Sequence, residues 1–122
     1  LGLLLVDTSV WIRHLREGDR QLSLPLEEGE VAARPWVIGE LACGRFEPRD
    51  DILALLHALL RTETMTDDEF FRFLNAHHLV GCDLGFVDVH LLGAARLERI
   101  PLWTHDLSLR RAADGMELGY LP

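Results

Sequence analysis

The feature that most constrains the fold of this chain is a short apolar run, residues 3–6, that ends abruptly at Asp7. An unbroken apolar run of this kind is typical of a strand buried on both faces, as strands are in a parallel sheet covered by helices. The pattern therefore predicts a central strand near the start of the chain, with a carboxylate at its carboxyl end.

The rest of the chain alternates between predicted strands and helices. Further strands are predicted at residues 30–33, 62–65 and 102–104. Helices are predicted at residues 10–17 behind a cap at Thr8 or Ser9, and at residues 22–28, 36–44, 48–60, 67–78, 87–98 and after Asp106. Pro35 suits a first helical turn, and Thr66 with Glu69 forms a capping-box pattern. This order predicts an α/β fold, a three-layer α/β/α sandwich around a central, mainly parallel sheet, as one domain over residues 1–122.

The charge of the chain argues against a general phosphate-binding surface. Its net charge is −8, with 20 acidic residues against 12 basic ones, and every basic residue is an arginine. Proteins that bind extended duplexes usually present a basic face. Any role in nucleic-acid chemistry must therefore depend on a local site with a few arginines, aided by metal ions.

The cysteines and the apolar runs indicate the compartment. Cys43 and Cys82 fall in different predicted elements, and we interpret both as reduced core residues because two thiols do not make a disulfide framework. No apolar run approaches the ~18 residues that span a bilayer, and no signal peptide is apparent. We therefore expect a soluble, cytoplasmic protein with no membrane association.

Two acidic residues are predicted to lie on helix faces that are otherwise apolar. The residues that share the face of Asp88 are Leu91, Leu92 and Ala95. The neighbours of Glu40 on its own helix face are Trp36, Val37 and Cys43. An ionised carboxylate loses several kcal/mol of hydration on burial, so each needs a cation nearby. A buried salt bridge to an arginine is the alternative interpretation at both positions.

Two further acidic residues follow predicted strands. Asp7 ends the first strand, and Asp106 lies two residues beyond the strand at 102–104. Open parallel sheets place their functional sites at the carboxyl ends of strands. The structural alternatives are an Asx-turn at Asp7 and a helix N-cap at Asp106.

One shared divalent cation explains these carboxylates better than separate structural accidents. The predicted metal site consists of Asp7, Glu40, Asp88 and Asp106. Mg²⁺, with Mn²⁺ as a substitute, prefers oxygen ligands and retains several waters, and a cation held in this way promotes phosphodiester hydrolysis. The hydroxyl groups of Thr8, Ser9 and Thr104 are candidates to orient carboxylates or water, although each is equally plausible as a cap or turn residue.

Other chemistry is disfavoured by missing motifs. Ser9 and Ser108 lack a glycine-flanked nucleophile elbow, and neither a Walker A motif nor a dinucleotide fingerprint is present. Aspartyl-phosphate enzymes use a lysine that this chain lacks. The aromatic residues Trp36, Phe70, Phe71, Phe73 and Trp103 are interpreted as core rather than as base-stacking positions. His90 is expected to point away from the acidic site, since residues two positions apart do not share a helix face.

The four acidic segments, taken in order, resemble the PIN domain, and in particular the VapC-type toxins of bacterial toxin–antitoxin pairs. The segments that carry the resemblance are LVDTSVW (5–11), VIGEL (37–41), GFVDVHLL (85–92) and LWTHD (102–106). Each is weak alone, but four in the right order at plausible separations are specific. Residues 48–80 carry no diagnostic motif.

The resemblance implies a PIN-like fold and an endoribonuclease dependent on Mg²⁺ or Mn²⁺, with Asp7, Glu40, Asp88 and Asp106 as the metal site and Ser9 and Thr104 as supporting residues. It also implies a homodimer, a cognate antitoxin that covers the acidic pocket, and a tRNA or rRNA substrate whose cleavage inhibits translation. Two alternatives stay open: a non-catalytic PIN-like module that binds RNA or protein, and a metal-dependent DNA nuclease.

Overall fold

The computed structural model describes residues 3–61 and 64–122, in which short strands alternate with helices. The strands are β1 (Leu4–Val6), β2 (Val31–Ala33), β3 (Leu60–Arg61) and β4 (Leu102–Trp103). The helices are α1 (Thr8–Glu17), α2 (Arg20–Glu27), α3 (Pro35–Ala42), α4 (Arg49–Ala58), α5 (Asp67–Ala76), α6 (Phe86–Glu98) and α7 (Leu107–Gly115).

Strand β1 has a neighbour on each side in a sheet of order β3-β2-β1-β4. It pairs in parallel with β2, where Leu4 lies opposite Val31, and with β4, where Leu5 lies opposite Leu102. Strand β2 pairs in parallel with β3. All of β1 is buried, which confirms the predicted central strand. Because the strands run in one direction, the carboxyl ends of β1 and β4 meet at one edge of the sheet.

The helices form two packed groups. Helix α3 packs on α1 and α4, while α6 packs on α5, α7 and strand β4. The core between them is built mainly from aliphatic side chains and includes all of β1 and β2. The predicted α/β class with a parallel sheet between helices is confirmed.

Most predicted helix boundaries are close to the observed ones. Pro35 occupies the first turn of α3, and Gly18 ends α1 with a φ of 75°, a left-handed conformation that glycine adopts without strain. The capping box at the start of α5 is present: the Thr66 N–H donates to Glu69 Oε1 (2.8 Å), and the Glu69 N–H donates to Thr66 Oγ1 (3.2 Å).

Two predictions about local structure were wrong. Helix α1 begins at Thr8, so its N-cap residue is Asp7 rather than Thr8 or Ser9. The predicted strand at residues 62–65 lies partly outside the described residues, and the observed strand β3 comes just before it because α4 ends at Ala58. Thr64 and Met65 are not in a strand.

The cysteines are free, as predicted, but both are exposed, so their interpretation as core residues was wrong. Cys43 caps the C-terminal end of α3, and Cys82 follows α5 in a turn where its thiol donates to the carbonyl of His78. Both positions lie at element ends, where an apolar side chain is not required. No helix within residues 3–61 and 64–122 is long and apolar enough to cross a membrane.

We predict that Thr66→Ala lowers the free energy of unfolding by about 1 kcal/mol, because the Glu69 N–H loses its acceptor at the start of α5. Thr66→Ser retains the hydroxyl and is expected to restore most of that stability. Urea unfolding followed by circular dichroism measures the difference. Equal loss in both variants would show that the hydroxyl does not stabilise the helix.

Candidate active site

Asp7 is a buried carboxylate at the end of β1, with only 5% of its surface exposed. Its Oδ2 accepts hydrogen bonds from Ser9 Oγ and from Thr104 Oγ1, each at 2.7 Å. Although Asp7 is the N-cap residue of α1, its side chain does not cap that helix. The carboxylate is therefore fixed by two hydroxyl groups rather than used in a local Asx-turn.

The two hydroxyl groups are themselves held by the loop after β4. The N–H of His105 donates to Ser9 Oγ, and the N–H of Asp106 donates to Thr104 Oγ1, each at 3.0 Å. The oxygens of Ser9 and Thr104 lie 3.3 Å apart. Amide donors thus polarise the hydroxyls that orient Asp7, and the network joins β1, α1 and the start of α7.

Asp88 lies in the first turn of α6, on the side that faces the interior. It is partly buried, and the three residues that share its face are completely buried, as predicted: Leu91, Leu92 and Ala95. Its Oδ2 accepts a hydrogen bond from the N–H of Gly85 (2.9 Å), which satisfies one free donor at the helix start.

The other three acidic residues all influence the pKa of Asp88. Burial raises the pKa of Asp88 above its ordinary value, whereas the Gly85 hydrogen bond lowers it. The negative charges of Asp7, Asp106 and Glu40 each raise this pKa further. The structure therefore brings the four predicted carboxylates into one negatively charged cluster.

Glu40 lies on α3 at the solvent side of this cluster. Its Oε1 accepts a hydrogen bond from Thr8 Oγ1 at 2.7 Å, which ties α3 to the start of α1. The predicted apolar surroundings of Glu40 were wrong, because Glu40, Trp36 and Cys43 are all exposed. The buried face of α3 consists instead of Val37, Ile38 and Leu41.

Asp106 is exposed and caps α7, since its Oδ2 accepts a hydrogen bond from the N–H of Leu109 at 2.9 Å. The hydrogen bond confirms the alternative interpretation of Asp106 as a helix N-cap. Its charge still acts on Asp88, so the capping role and a role in the acidic cluster are compatible.

None of the four carboxylates forms an ion pair in the part of the chain that the structure describes. The ion pair found there joins Arg13 Nε and Glu17 Oε2, 3.8 Å apart and exposed. The alternative of a buried salt bridge at Asp88 or Glu40 was therefore wrong. Among the residues that the structure describes, no ion pair offsets the negative charge of the cluster.

The donor atoms fit a hard divalent cation. All four side chains offer carboxylate oxygens, which Mg²⁺ and Mn²⁺ prefer, and three hydroxyl groups surround them. Within residues 3–61 and 64–122, no three acidic, histidine or cysteine side chains already lie at coordination distance of one point. Asp7, Glu40 and Asp106 are close enough to act on the charge of Asp88, but the four side chains do not converge on one point.

Aromatic side chains lie beside the cluster. His90 is buried and stacks on Phe70, with ring centroids 4.9 Å apart. Trp36 and Phe86 are exposed and meet edge to face at 5.8 Å. The prediction that all the aromatic residues are core holds for Phe70 and Trp103 but was wrong for Trp36 and Phe71.

Arg34 is a buried cation that the sequence analysis did not identify. It follows β2 and is completely buried, and this burial lowers its pKa to about 10. Its charge lowers the pKa of His90, after the larger effect of burial itself. The signal available in the sequence was its position at the end of a strand, the same position that identified Asp7.

We predict that Asp88→Asn leaves the stability of the metal-free protein at pH 7 unchanged or raises it by up to about 1 kcal/mol, a small effect because the side chain is partly exposed. Asparagine still accepts from Gly85 but removes the charge that the other three carboxylates repel. Since the pKa of Asp88 is higher in the folded state, ionisation of Asp88 lowers stability as pH rises through that pKa.

The stability gained by Asp88→Asn should therefore shrink as pH falls towards about 4 and be lost below it, because the wild-type carboxyl becomes protonated in the unfolded state as well as in the folded state. Urea unfolding in EDTA at pH 7 and at lower pH measures it, with Glu117→Gln as a control that removes an exposed charge outside the cluster. A loss of several kcal/mol would show that the Asp88 charge stabilises the fold.

The sequence was compared with known proteins. No family model matches the chain. It is 43% identical over 111 residues to Ribonuclease VapC32 of Mycobacterium tuberculosis, in strains CDC 1551 / Oshkosh and ATCC 25618 / H37Rv, covering 90% of each chain.

Two solved structures share the fold at low sequence identity. PAE2754 from Pyrobaculum aerophilum superposes with a TM-score of 0.66 at 19% identity, covering 91% of this chain and 84% of that one. FitAcB from Neisseria gonorrhoeae gives a TM-score of 0.63 at 16% identity, covering 92% and 94%. Together with the identity to VapC32, which extends over nine-tenths of both sequences, these findings confirm the resemblance carried by the four acidic motifs: the chain belongs to the VapC family of PIN-like ribonucleases.

Proposed function

We propose that this protein is a divalent-metal-dependent endoribonuclease that acts as the toxin of a type II toxin–antitoxin pair in the cytoplasm. The observation that carries the proposal is that Asp7, Glu40 and Asp106 act on the charge of Asp88, while none of the four forms an ion pair within the described residues, in a chain of the VapC family. The substrate is RNA, and the resemblance to VapC-type toxins favours tRNA or rRNA.

The proposed metal ligands, in direct contact or through water, are Asp7, Glu40, Asp88 and Asp106. When bound, Mg²⁺ or Mn²⁺ supplies positive charge to the phosphodiester and eases its attack by water at neutral pH. Three hydroxyl groups around that centre orient the carboxylates. Ser9 and Thr104 hold Oδ2 of Asp7, and Thr8 holds Oε1 of Glu40.

The same resemblance supports two partners. A cognate antitoxin would cover the acidic cluster and keep RNA away from it. A second copy of the chain would form a homodimer, for which the exposed aromatic pair Trp36 and Phe86 offers an apolar surface beside the cluster.

The decisive experiment is cleavage of a mixed tRNA and rRNA pool by purified, antitoxin-free protein in Mg²⁺, in Mn²⁺ and in excess EDTA. We expect discrete fragments in either metal and none in EDTA. Asp88→Asn should reduce the rate by at least about 100-fold, because a charge that acts on the reacting centre is lost. Glu117→Gln is the matched control and should cleave like the wild type.

Other outcomes would favour the two alternatives. Folded protein that binds the pool but leaves it intact in every divalent ion would indicate a non-catalytic binding module. A parallel panel of single-stranded and duplex DNA covers the second alternative, because cleavage of DNA but not of RNA would indicate a DNA nuclease. Fragments that persist in EDTA would contradict the proposed role of the metal.

We also predict a positioning role for Thr104. Thr104→Val removes the hydroxyl that donates to Asp7 and is expected to weaken metal affinity or activity by roughly 10- to 100-fold, as is typical for groups that orient metal ligands. Thr104→Ser should recover most of the loss. Isothermal titration with Mn²⁺ gives the affinity separately from the cleavage rate. Equal behaviour of the valine and serine variants would exclude the hydroxyl as the cause.

A further inference from the structure

A small pocket lies beside Glu40, between α1 and the loop that follows α3, and we call it the α1–α3 pocket. It has a volume of about 190 Å³. Its apolar lining comes from Ile12, Leu15, Leu41 and Phe46. Glu40 also lines it, so the pocket adjoins the acidic cluster at this residue.

Two arginines give the pocket a basic component that the cluster lacks. Arg16 of α1 and Arg45 of the loop both line it, together with the acidic Glu40 and Glu47. Both arginines are exposed, and neither forms an ion pair in the part of the chain that the structure describes. Although Glu40 and Glu47 also line the pocket, they are not ion-paired with these arginines, so both guanidinium groups are available to bind an anion.

The loop that carries Arg45 and Phe46 is held in place by contacts with Arg49. The guanidinium of Arg49 donates hydrogen bonds to the carbonyls of Ala42 and Gly44, the latter at 2.7 Å. The same group lies over the ring of Phe46, 5.4 Å from its centroid. These contacts hold the pocket wall in place before any ligand arrives, which reduces the entropy lost on binding.

The chemistry of the pocket matches one nucleotide of single-stranded RNA. A nucleotide joins a flat, largely apolar base to a phosphate, and proteins bind such units with aromatic or apolar walls and arginines. An apolar side chain of a protein partner would fill the apolar part but would leave both guanidinium groups without an anion. The charges therefore favour a nucleotide over a neutral protein segment.

We infer that the α1–α3 pocket is a nucleobase subsite for the RNA strand adjoining the cleavage site, with a flanking phosphate bound by Arg16 and Arg45. This inference rests on the proposed ribonuclease function, since it names the part of the substrate that the site holds. The base beside the scissile bond enters between Phe46 and the apolar residues of α1. The subsite thereby selects an unpaired nucleotide, because a base in a helix is not free to enter.

The test is the affinity for a 5′-labelled single-stranded 12-mer oligoribonucleotide of mixed sequence, measured by fluorescence anisotropy in Mg²⁺ in an Asp88→Asn background. Arg16→Gln and Arg45→Gln are each expected to weaken binding by about tenfold. Each should also reduce the slope of log affinity against log salt by about 0.7, the value for one lost phosphate contact on a single strand. Arg13→Gln is the matched control, an exposed arginine on the same helix that does not line the pocket.

The base is tested with an abasic site moved along the same oligonucleotide. One position is expected to weaken binding by roughly tenfold in the parent protein, and Phe46→Leu should remove that position's penalty. Circular dichroism checks that every variant is folded. If Phe46→Leu is unfolded, the inference is tested by Arg16→Gln and Arg45→Gln, which are expected to fold because both arginines are exposed.

The outcomes separate this inference from the proposed function. If the protein with Asp88 intact does not cleave RNA but the arginine variants lose affinity and salt dependence as expected, the subsite stands and the catalytic proposal fails. If it cleaves RNA while Arg16→Gln and Arg45→Gln bind like Arg13→Gln, the subsite is overturned and the pocket is left to a protein side chain. An abasic scan without a position-specific penalty would also overturn the base subsite.

Discussion

The site depends on the contact between one buried carboxylate and two hydroxyl groups at the edge of the sheet. Asp7 ends the strand that has a neighbour on each side, and its Oδ2 is held by Ser9 from α1 and by Thr104 from the end of β4. These hydroxyls satisfy the carboxylate without neutralising it, whereas an arginine in their place would cancel its charge. Because Asp7 follows the central strand, its fixed negative charge lies at the carboxyl edge of the parallel sheet.

The other acidic residues extend that charge from three helices, each anchored by a different local contact. Asp88 accepts from the backbone of its own helix start, Asp106 caps α7, and Glu40 is held by Thr8. Each contact fixes a carboxylate while leaving its charge in place. The raised pKa of Asp88 shows that this arrangement works against the stability of the fold. Such strain is expected where residues are arranged for binding a cation rather than for folding.

The sequence was sufficient where a local rule decides the structure and insufficient where the structure depends on distant partners. An apolar run followed by Asp7, and the helix periodicity around Asp88, predicted their positions because both patterns are local. Glu40 acts on the charge of Asp88, but its predicted position on a buried face was wrong, since the core contacts of α3 fall at Val37, Ile38 and Leu41. The bond from Thr8 to Glu40 spans 32 positions, so no local pattern could reveal it.

An acidic ribonuclease has to solve the problem that its charge repels its substrate. A net charge of −8 works against long-range attraction of RNA, and the four carboxylates would repel a phosphodiester that approaches them. In the proposed function, a divalent cation held by the carboxylates would offset part of this negative charge where the phosphodiester arrives. Arg16 and Arg45 then need only hold one nearby phosphate. On this proposal, affinity for RNA depends on the contacts of the site and not on the overall charge of the protein, which limits capture of RNA that does not fit the site.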